Sequence, residues 1–250
     1  IYFYRSVNRT RMKKNIGVIL AGGSGKRMGE NIPKQFLVIA GKTVLEHTLT
    51  VFENHPLVDE IALVIAPAHA PMLEQILQVH PFKKLVSVLH GGPERYHSSL
   101  SALEAYAHVD CNLLIHDAVR PLVDPRIISD VIRQLEKVNA VNVAVPATDT
   151  IIEVDENQEY ITCIPDRSRL FHVQTPQGFD RATLQRAFDK ALKDPDFQTT
   201  DDCGVIKKYL PEEKIRLVHG HPRNIKLTWP EDLAFAEKWL SLNPFNSCYE

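Results

Sequence analysis

The chain has 250 residues, of which 44% are hydrophobic and 24% charged, and its formal net charge is -2. This length suits one large α/β domain or two small ones, and the composition excludes a disordered chain and gives no support to nucleic acid as a partner. The four cysteines form no Cys-x-x-Cys pair and no apolar run reaches the ~20 residues of a membrane span, so we expect a cytoplasmic protein that does not enter a membrane.

The first residues of the chain are expected to precede the folded domain. The segment "IYFYRSVNRTR" lacks the apolar stretch and the small-residue cleavage site of a signal peptide. Met12 is followed by "KKNIGVILAGG", where a regular pattern begins. We therefore interpret residues 1–11 as a leader or a remnant of expression, and residues 12–243 as one domain.

After Met12, short apolar runs alternate with amphipathic stretches. This alternation predicts βα units around a mostly parallel sheet flanked by helices. The predicted strands are Ile16–Leu20, Glu60–Ile65, Val86–His90, Asn112–His116, Ala140–Pro146, Ile215–His219 and Asn224–Thr228. The predicted helices are Val44–Asn54, Ala70–Val79, Arg95–His108, Pro125–Val138, Arg181–Leu192, Asp202–Tyr209 and Pro230–Leu240.

Between about residues 148 and 172 this alternation is lost. The segment "TDTIIEVDENQEYITCIPDRSRLFH" contains two β-like runs joined by an acidic, polar turn. Such a pattern is typical of a β-hairpin with exposed faces. We therefore predict a β-arm that protrudes from the main sheet.

The segment from Leu20 to Gln35, "LAGGSGKRMGENIPKQ", follows the first predicted strand. A Walker A loop is excluded, because Arg27 stands where that motif needs Ser or Thr after Gly-Lys. The dinucleotide motif is disfavoured, because Met28 stands where its third glycine is needed. What remains is a flexible glycine turn followed by closely spaced cations, which predicts an anion site; the alternative is a glycine turn with solvated lysines.

Seven motifs in chain order resemble one enzyme family. They are "LAGGSGKRMG", "HGGPERYHSSL", "HDAVRP", "VPATDT", "DRSRLFHVQTPQGF", "TTDDCG" and "NIKLTWPEDL". Together they extend from about Ile16 to Leu240 and resemble the 2-C-methyl-D-erythritol 4-phosphate cytidylyltransferases and their close relatives, the ribitol-5-phosphate cytidylyltransferases. The resemblance implies a Rossmann-like fold of the nucleotide-diphospho-sugar transferase type. It also implies an enzyme that joins CTP to a sugar-alcohol phosphate and releases pyrophosphate.

The implied reaction needs cations more than a base, because an ionised phosphate oxygen attacks the α-phosphorus of CTP. The resemblance assigns catalysis to Arg27, Lys34, Arg167 and Lys226. It assigns nucleotide binding to Leu20, Ala21, Gly22, Gly23, Gly25, Gly92 and Ser98. For Gly92 and Ser98 the alternative is an ordinary turn and helix start.

A second set of residues is assigned to the sugar-alcohol phosphate by the resemblance. They are Asp117, Arg120, Thr150, Arg167, Thr200 and Lys226. Asp117 also ends a predicted buried strand, at the edge where open α/β sheets bind ligands, so it is our candidate ligand for Mg²⁺ between phosphates. The alternatives are an ordinary salt bridge for Arg120 and a helix cap for Asp201-Asp202.

The resemblance leaves the second substrate open between two compounds. Val119 in "HDAVRP" is common in the ribitol enzymes, whereas the spacing of Arg27 and Lys34 and the "DRSRLFHVQTPQGF" segment favour methylerythritol phosphate. A third hypothesis is a catalytically silent nucleotide-binding relative, which would have no chemical need for so many cations. The family's arm embraces a second subunit, so the resemblance also implies a homodimer in which Arg167 serves the neighbouring site.

Overall fold

Strands and helices alternate along the residues that the computed structural model describes, 13–23 and 32–242. The strands are β1 (Lys14–Ala21), β2 (Val38–Ile39), β3 (Lys42–Thr43), β4 (Glu60–Ile65), β5 (Leu85–His90), β6 (Cys111–Asp117), β7 (Ala140–Pro146), β8 (Glu153–Val154), β9 (Ile161–Cys163), β10 (Phe171–Asp180) and β11 (Ile215–His219). The helices are α1 (Val44–Asn54), α2 (Ala70–Val79), α3 (Arg95–Ala105), α4 (Pro125–Leu135), α5 (Arg181–Ala191), α6 (Asp202–Tyr209) and α7 (Pro230–Leu242).

Seven of these strands form the central sheet, in the order β11-β7-β10-β6-β1-β4-β5. The strand β10 runs antiparallel to both of its neighbours, β6 and β7, and the other pairings are parallel. The predicted α/β fold with a mostly parallel sheet is therefore confirmed. After β5 the chain returns to the other side of β1, so the crevice at the ends of β1 and β6 is the switch point where such sheets bind ligands.

Helices cover both faces of this sheet. The helices α1, α2 and α4 pack on one face, and α3, α5 and α6 pack on the other. Successive residues of β1 alternate between these two cores, so the strand is apolar throughout, as its sequence indicates. A smaller third cluster joins α7 to Val119 and Leu227 and so brings the C-terminal helix to the crevice.

The segment predicted as an arm contains a separate two-stranded sheet. The strands β8 and β9 pair with each other and with no strand of the central sheet. Several large apolar side chains of this hairpin are exposed, among them Tyr160 at 71% and Ile164 at 63%. Within the described residues, no helix is both long and apolar enough to cross a membrane.

One predicted strand is absent from the structure, and one observed strand was not predicted. Residues 224–228 form no strand; instead Leu227 N–H donates to the Val119 carbonyl and holds this segment beside the end of β6. The strand β10 was not predicted, because its inner half carries buried polar residues together with Pro176 and Gly178, which disguise a strand pattern. The helices α3 and α4 end at Ala105 and Leu135, one turn earlier than predicted.

Candidate active site

The C-terminal ends of β1, β5 and β6 surround a cavity of about 350 Å³. All six described residues that were predicted to bind the nucleotide contribute to the lining of this cavity, together with the predicted cations Lys34 and Lys226. The lining consists of Leu20, Ala21, Gly22, Gly23, Lys34, Gln35, Gly92, Pro93, Glu94, Arg95, Ser98, Asp117, Val119 and Lys226. Four of the seven motifs, which are separated in the sequence, thus meet at one cavity, although the role of each residue stays a prediction.

The glycine turn after β1 is held from behind by Gln35, which the sequence did not single out. The Gln35 side chain is 1% exposed, and its Nε2 donates to the carbonyls of Ala21 at 2.8 Å and Gly23 at 3.0 Å. Because the Gln35 side-chain amide holds the carbonyls of Ala21 and Gly23, the backbone conformation of the turn is fixed without a ligand. The predicted residues Gly25 and Arg27 lie outside the described residues.

The turn after β5 approaches the same wall through Ser98, in the first turn of α3. A Cβ atom on Gly91 would lie 2.6 Å from Ser98 Oγ, and one on Gly22 would lie 3.7 Å from it. A Cβ atom on Gly92 would lie 2.7 Å from His97 Cβ. A side chain at 91 would therefore displace the Ser98 hydroxyl, and one at 92 would clash with His97; the buried Ser98 hydroxyl lies between the two glycine turns.

Asp117, at the end of β6, is surrounded by three cations. Its carboxylate lies 3.0 Å from Lys226 Nζ and 3.6 Å from both Arg95 Nε and Arg120 Nε. Burial alone would raise the pKa of Asp117, but Lys226, Arg95 and Arg120 together hold it well below its usual range. The side chain is therefore an ionised carboxylate that orients several cations at the cavity.

Arg95 is a site residue that the sequence analysis missed. Its Nη1 donates to Asp202 Oδ2 at 2.6 Å, and Asp202 is completely buried. Burial alone would lower the pKa of Arg95, but Asp202 and Asp117 raise it. One arginine at the start of a predicted helix gives no signal of this role, because both carboxylates are far away in the sequence.

Lys34 reaches across the cavity to the segment that carries Lys226. Lys34 is 9% exposed, and its Nζ donates to the Leu227 carbonyl at 2.8 Å. Leu227 N–H in turn donates to the Val119 carbonyl at 2.9 Å. The two predicted catalytic lysines are consequently joined through one backbone residue beside Asp117.

Arg120 is buried and binds backbone carbonyls. Its Nη1 donates to the Asn224 carbonyl at 2.7 Å and its Nη2 to the Val173 carbonyl at 3.4 Å. The salt bridge that was weighed as an alternative is present, to Asp117. Arg120 thus ties the end of β6 to β10 and to the Lys226 segment, and its predicted substrate contact stays untested.

His116, immediately before Asp117, is a buried imidazole with partners on both nitrogens. Its Nδ1 lies 2.9 Å from Thr175 Oγ1 and its Nε2 lies 3.2 Å from the Arg120 carbonyl. Burial lowers the pKa of His116 to about 4, so the ring is neutral at physiological pH. Neither His116 nor Thr175 was assigned a role from the sequence.

Four residues that were predicted to bind the second substrate do not line the cavity in the described chain: Arg120, Thr150, Arg167 and Thr200. Thr150 and Arg167 are exposed in the arm, where Arg167 Nη1 donates to the Thr148 carbonyl at 2.8 Å. Thr200 is also exposed and lines a different cavity, together with Phe197. Asp201 is the N-cap of α6, as the alternative predicted, because its Oδ1 accepts from Gly204 N–H at 2.8 Å.

No preformed metal site is found among residues 13–23 and 32–242. No group of three or more His, Cys, Asp and Glu side chains in these residues is placed to hold a metal ion. The described cavity lining holds two carboxylates, Asp117 and Glu94, and Arg95 and Lys226 already face the oxygens of Asp117. Because Mg²⁺ in proteins is commonly held by one or two carboxylates together with substrate phosphates and water, these residues fit an ion that binds together with a triphosphate.

The chain is similar to cytidylyltransferases over nearly its whole length. A family model described as 2-C-methyl-D-erythritol 4-phosphate cytidylyltransferase matches residues 16–242. The enzyme of that name from Thermobifida fusca (strain YX) is 44% identical over 235 residues, which cover 92% of this chain and 94% of the relative. The crystal structure of 4-diphosphocytidyl-2C-methyl-D-erythritol synthase from Anaerococcus prevotii matches with a TM-score of 0.80 at 31% identity, and covers 91% of this chain and 98% of that one.

A bifunctional relative is similar at a comparable level. The bifunctional ribulose 5-phosphate reductase/CDP-ribitol pyrophosphorylase of Haemophilus influenzae is 47% identical over 227 residues, which cover 90% of this chain but 48% of the relative. This chain therefore spans about half the length of that protein. The family model and the relatives that align end to end confirm the resemblance of the seven motifs, and the chain belongs to the 2-C-methyl-D-erythritol 4-phosphate cytidylyltransferase family.

Proposed function

We propose that this protein transfers the cytidylyl group of CTP to 2-C-methyl-D-erythritol 4-phosphate, in the synthesis of isoprenoid precursors. The products are 4-diphosphocytidyl-2-C-methyl-D-erythritol and pyrophosphate. Membership of the family and the match to its enzymes along nearly the whole chain support this substrate pair. The observation that carries the proposal is the cavity in which the glycine turn, Ser98, Lys34, Lys226 and Asp117 converge.

The reaction displaces pyrophosphate from the α-phosphorus of CTP. An oxygen of the sugar phosphate forms a new P–O bond to the α-phosphorus, and the P–O bond to the β-phosphate breaks. The attacking oxygen is already ionised, so no side chain needs to remove a proton. Catalysis then depends on alignment and on stabilising the negative charge that grows on the phosphoryl and pyrophosphate oxygens.

The side chains of the cavity suit this demand. We assign Lys34, which lines the cavity, to the triphosphate, and Lys226, held at Asp117, to the phosphate of the second substrate. Asp117 keeps its cations in place without neutralising all of them, because one carboxylate faces Lys226, Arg95 and Arg120. Gly22 and Gly23 line the same cavity without a side chain, and a Cβ atom on Gly23 would meet no atom within 4 Å, which leaves open space for the nucleotide at that wall.

We also propose that the enzyme depends on Mg²⁺. When bound, the ion neutralises part of the triphosphate charge and orients its oxygens. Because the described residues that line the cavity offer two carboxylates, Asp117 and Glu94, most ligands would come from the phosphates and water. Asp117 would then contribute one oxygen.

A homodimer formed through the arm is part of the proposal. The hairpin exposes apolar side chains, including Tyr160 and Ile161, that a second copy would cover. Arg167 lies on this arm and not at the cavity, which is consistent with a contribution to the neighbouring subunit's site. Mixing inactive Lys34→Ala with inactive Arg167→Ala subunits would restore activity if the site is shared, and would leave the mixture inactive if Arg167 acts within its own chain.

Ribitol 5-phosphate is the second candidate substrate. The observation that favours it is the 47% identity to the bifunctional relative from Haemophilus influenzae, whose name includes CDP-ribitol pyrophosphorylase. Val119, which the sequence analysis connected with ribitol enzymes, lines the cavity. The comparison of full-length relatives favours methylerythritol phosphate instead.

The deciding experiment measures pyrophosphate release from CTP with Mg²⁺ and each sugar phosphate offered separately. We expect a much higher kcat/KM with 2-C-methyl-D-erythritol 4-phosphate. A higher value with ribitol 5-phosphate would reverse the substrate assignment. If neither compound releases pyrophosphate, the hypothesis of a catalytically silent nucleotide-binding relative would be favoured.

A further inference from the structure

We infer that His116 is a positioning residue, which acts with Thr175 to fix the turn from Asp117 to Arg120 in the geometry that presents Asp117 to Lys226. The two side chains do not line the cavity in the described chain. They act through the backbone that carries Asp117. The kinetic part of the inference rests on the proposed function, whereas its structural part does not.

A closed ring of hydrogen bonds connects these groups. Asp117 N–H donates to Thr175 Oγ1 at 3.2 Å, and Thr175 Oγ1 lies 2.9 Å from His116 Nδ1. His116 Nε2 lies 3.2 Å from the Arg120 carbonyl, and Arg120 N–H donates to the Asp117 carbonyl at 3.0 Å. The N–H and the carbonyl of Asp117 and both backbone groups of Arg120 are therefore held in one ring.

The donors and acceptors of this ring determine which nitrogen of His116 carries the proton and which group donates each hydrogen bond. The Arg120 carbonyl can only accept, so the proton of the neutral imidazole is on Nε2 and Nδ1 is an acceptor. Thr175 O–H then donates to His116 Nδ1, while its oxygen lone pair accepts from Asp117 N–H. In this arrangement every donor of the ring faces an acceptor. If the proton were on Nδ1 instead, Nε2 would face the Arg120 carbonyl without a proton to share, and a buried group would be left unpaired.

Packing holds the imidazole in the orientation that the ring requires. The Phe52 ring lies against His116 with its centroid 5.2 Å away and its plane tilted by 46°. Gly17 of β1 makes room for Phe52, because a Cβ atom there would lie 2.7 Å from Phe52 Cδ1. His116 and Phe52 are both completely buried, so a rotation of the imidazole would disturb the core between β1 and α1.

The ring is connected to the catalytic side of the molecule by two further contacts. The Arg120 side chain donates to the Asn224 carbonyl, and Asn224 Nδ2 donates to the Thr175 carbonyl at 2.9 Å. Asn224 is completely buried and precedes Lys226 by two residues. The ring thus sets the position of Asp117 relative to Lys226, whose ammonium lies 3.0 Å from that carboxylate.

Thr175 is the better residue for testing this ring, because truncating His116 would also leave a cavity in the core. Thr175→Val removes the hydroxyl with little change of shape, and Thr175→Ser keeps the hydroxyl. Amide hydrogen exchange measures the ring without any substrate. We expect the Asp117 amide to exchange at least about tenfold faster in Thr175→Val than in the wild type, and Thr175→Ser to stay within about threefold of the wild type.

The kinetic measurement uses the same two variants with CTP and the sugar phosphate. We expect kcat/KM for the sugar phosphate to fall at least about tenfold in Thr175→Val, with KM for CTP changed less than about threefold, and Thr175→Ser to recover most of the loss. Equal kinetics and equal exchange for the Val and Ser variants would overturn the inference. A wild-type enzyme that turns over neither sugar phosphate would instead overturn the proposed function, and hydrogen exchange would still test the ring.

Discussion

Arg95 lies between two buried carboxylates, with Nη1 2.6 Å from Asp202 Oδ2 and Nε 3.6 Å from Asp117 Oδ1. Asp202 is held at the start of α6, and Asp117 ends β6. The guanidinium therefore connects the carboxylate of Asp202, which does not line the cavity, to the carboxylate of Asp117, which does. Its planar fork can satisfy both partners at once, which a lysine ammonium cannot do in the same way.

Arg95→Ala should strongly destabilise the fold. The substitution leaves Asp202 as a buried charge without its cation, and breaking a buried pair in this way costs about 3–5 kcal/mol. Urea unfolding would measure the loss. The double variant Arg95→Ala/Asp202→Asn should recover part of it, because the uncompensated charge is removed; a double variant that is less stable than Arg95→Ala would contradict this account.

Lys34→Ala should lower turnover far more than it weakens CTP binding. The ammonium is needed most where negative charge grows in the transition state, so we expect kcat to fall by at least about a hundredfold, with CTP affinity reduced by less than about tenfold. Pyrophosphate release gives kcat, and calorimetry gives the affinity. Equal losses in both quantities would show that Lys34 contributes only to ground-state binding. Lys34→Arg keeps the charge and should retain more activity than Lys34→Ala.

Gly91→Ala should weaken CTP binding through Ser98. The added Cβ atom would lie 2.6 Å from Ser98 Oγ and force the hydroxyl out of its place. If that displacement is the whole effect, the double variant Gly91→Ala/Ser98→Ala should bind CTP no more weakly than Ser98→Ala alone. Calorimetric titration of the three variants with CTP measures this. Additive losses would mean that Gly91 acts independently of Ser98.

The sequence predicts the regular elements well and the polar contacts of the site poorly. Helix α1 matches its prediction in both ends, because Thr43 and Glu46 form a capping box that is visible in the sequence. The buried strand β1 and the glycine turn are likewise set by local pattern. Arg95, Gln35 and Thr175 could not be predicted in this way, because the partners that give them their role lie in other elements and come within reach only through tertiary packing.

Folding stability should rise with pH between about 4 and 6.5. The pKa of His116 is lowered to about 4 by burial, so in this window the unfolded chain binds a proton that the folded chain does not. Above the pKa that His116 has in the unfolded chain, the neutral ring contributes its full stability. This contribution is lost as the pH falls towards the pKa of His116 in the folded chain, and the total loss is about 3 kcal/mol. Urea unfolding at several pH values measures this slope. A His116→Gln variant cannot titrate there and should show a shallower slope; an unchanged slope would assign the effect to other groups.

Removal of Mg²⁺ should abolish turnover without affecting the free protein. Because no preformed metal cluster exists among the described residues, Mg²⁺ should change the melting temperature by less than about 1 °C when CTP is absent. With CTP present, Mg²⁺ should raise the melting temperature, since the ion binds together with the triphosphate. EDTA in the pyrophosphate assay tests the activity, and thermal unfolding with and without CTP tests the binding order. A clear stabilisation by Mg²⁺ alone would point to a metal site that includes protein groups beyond Asp117.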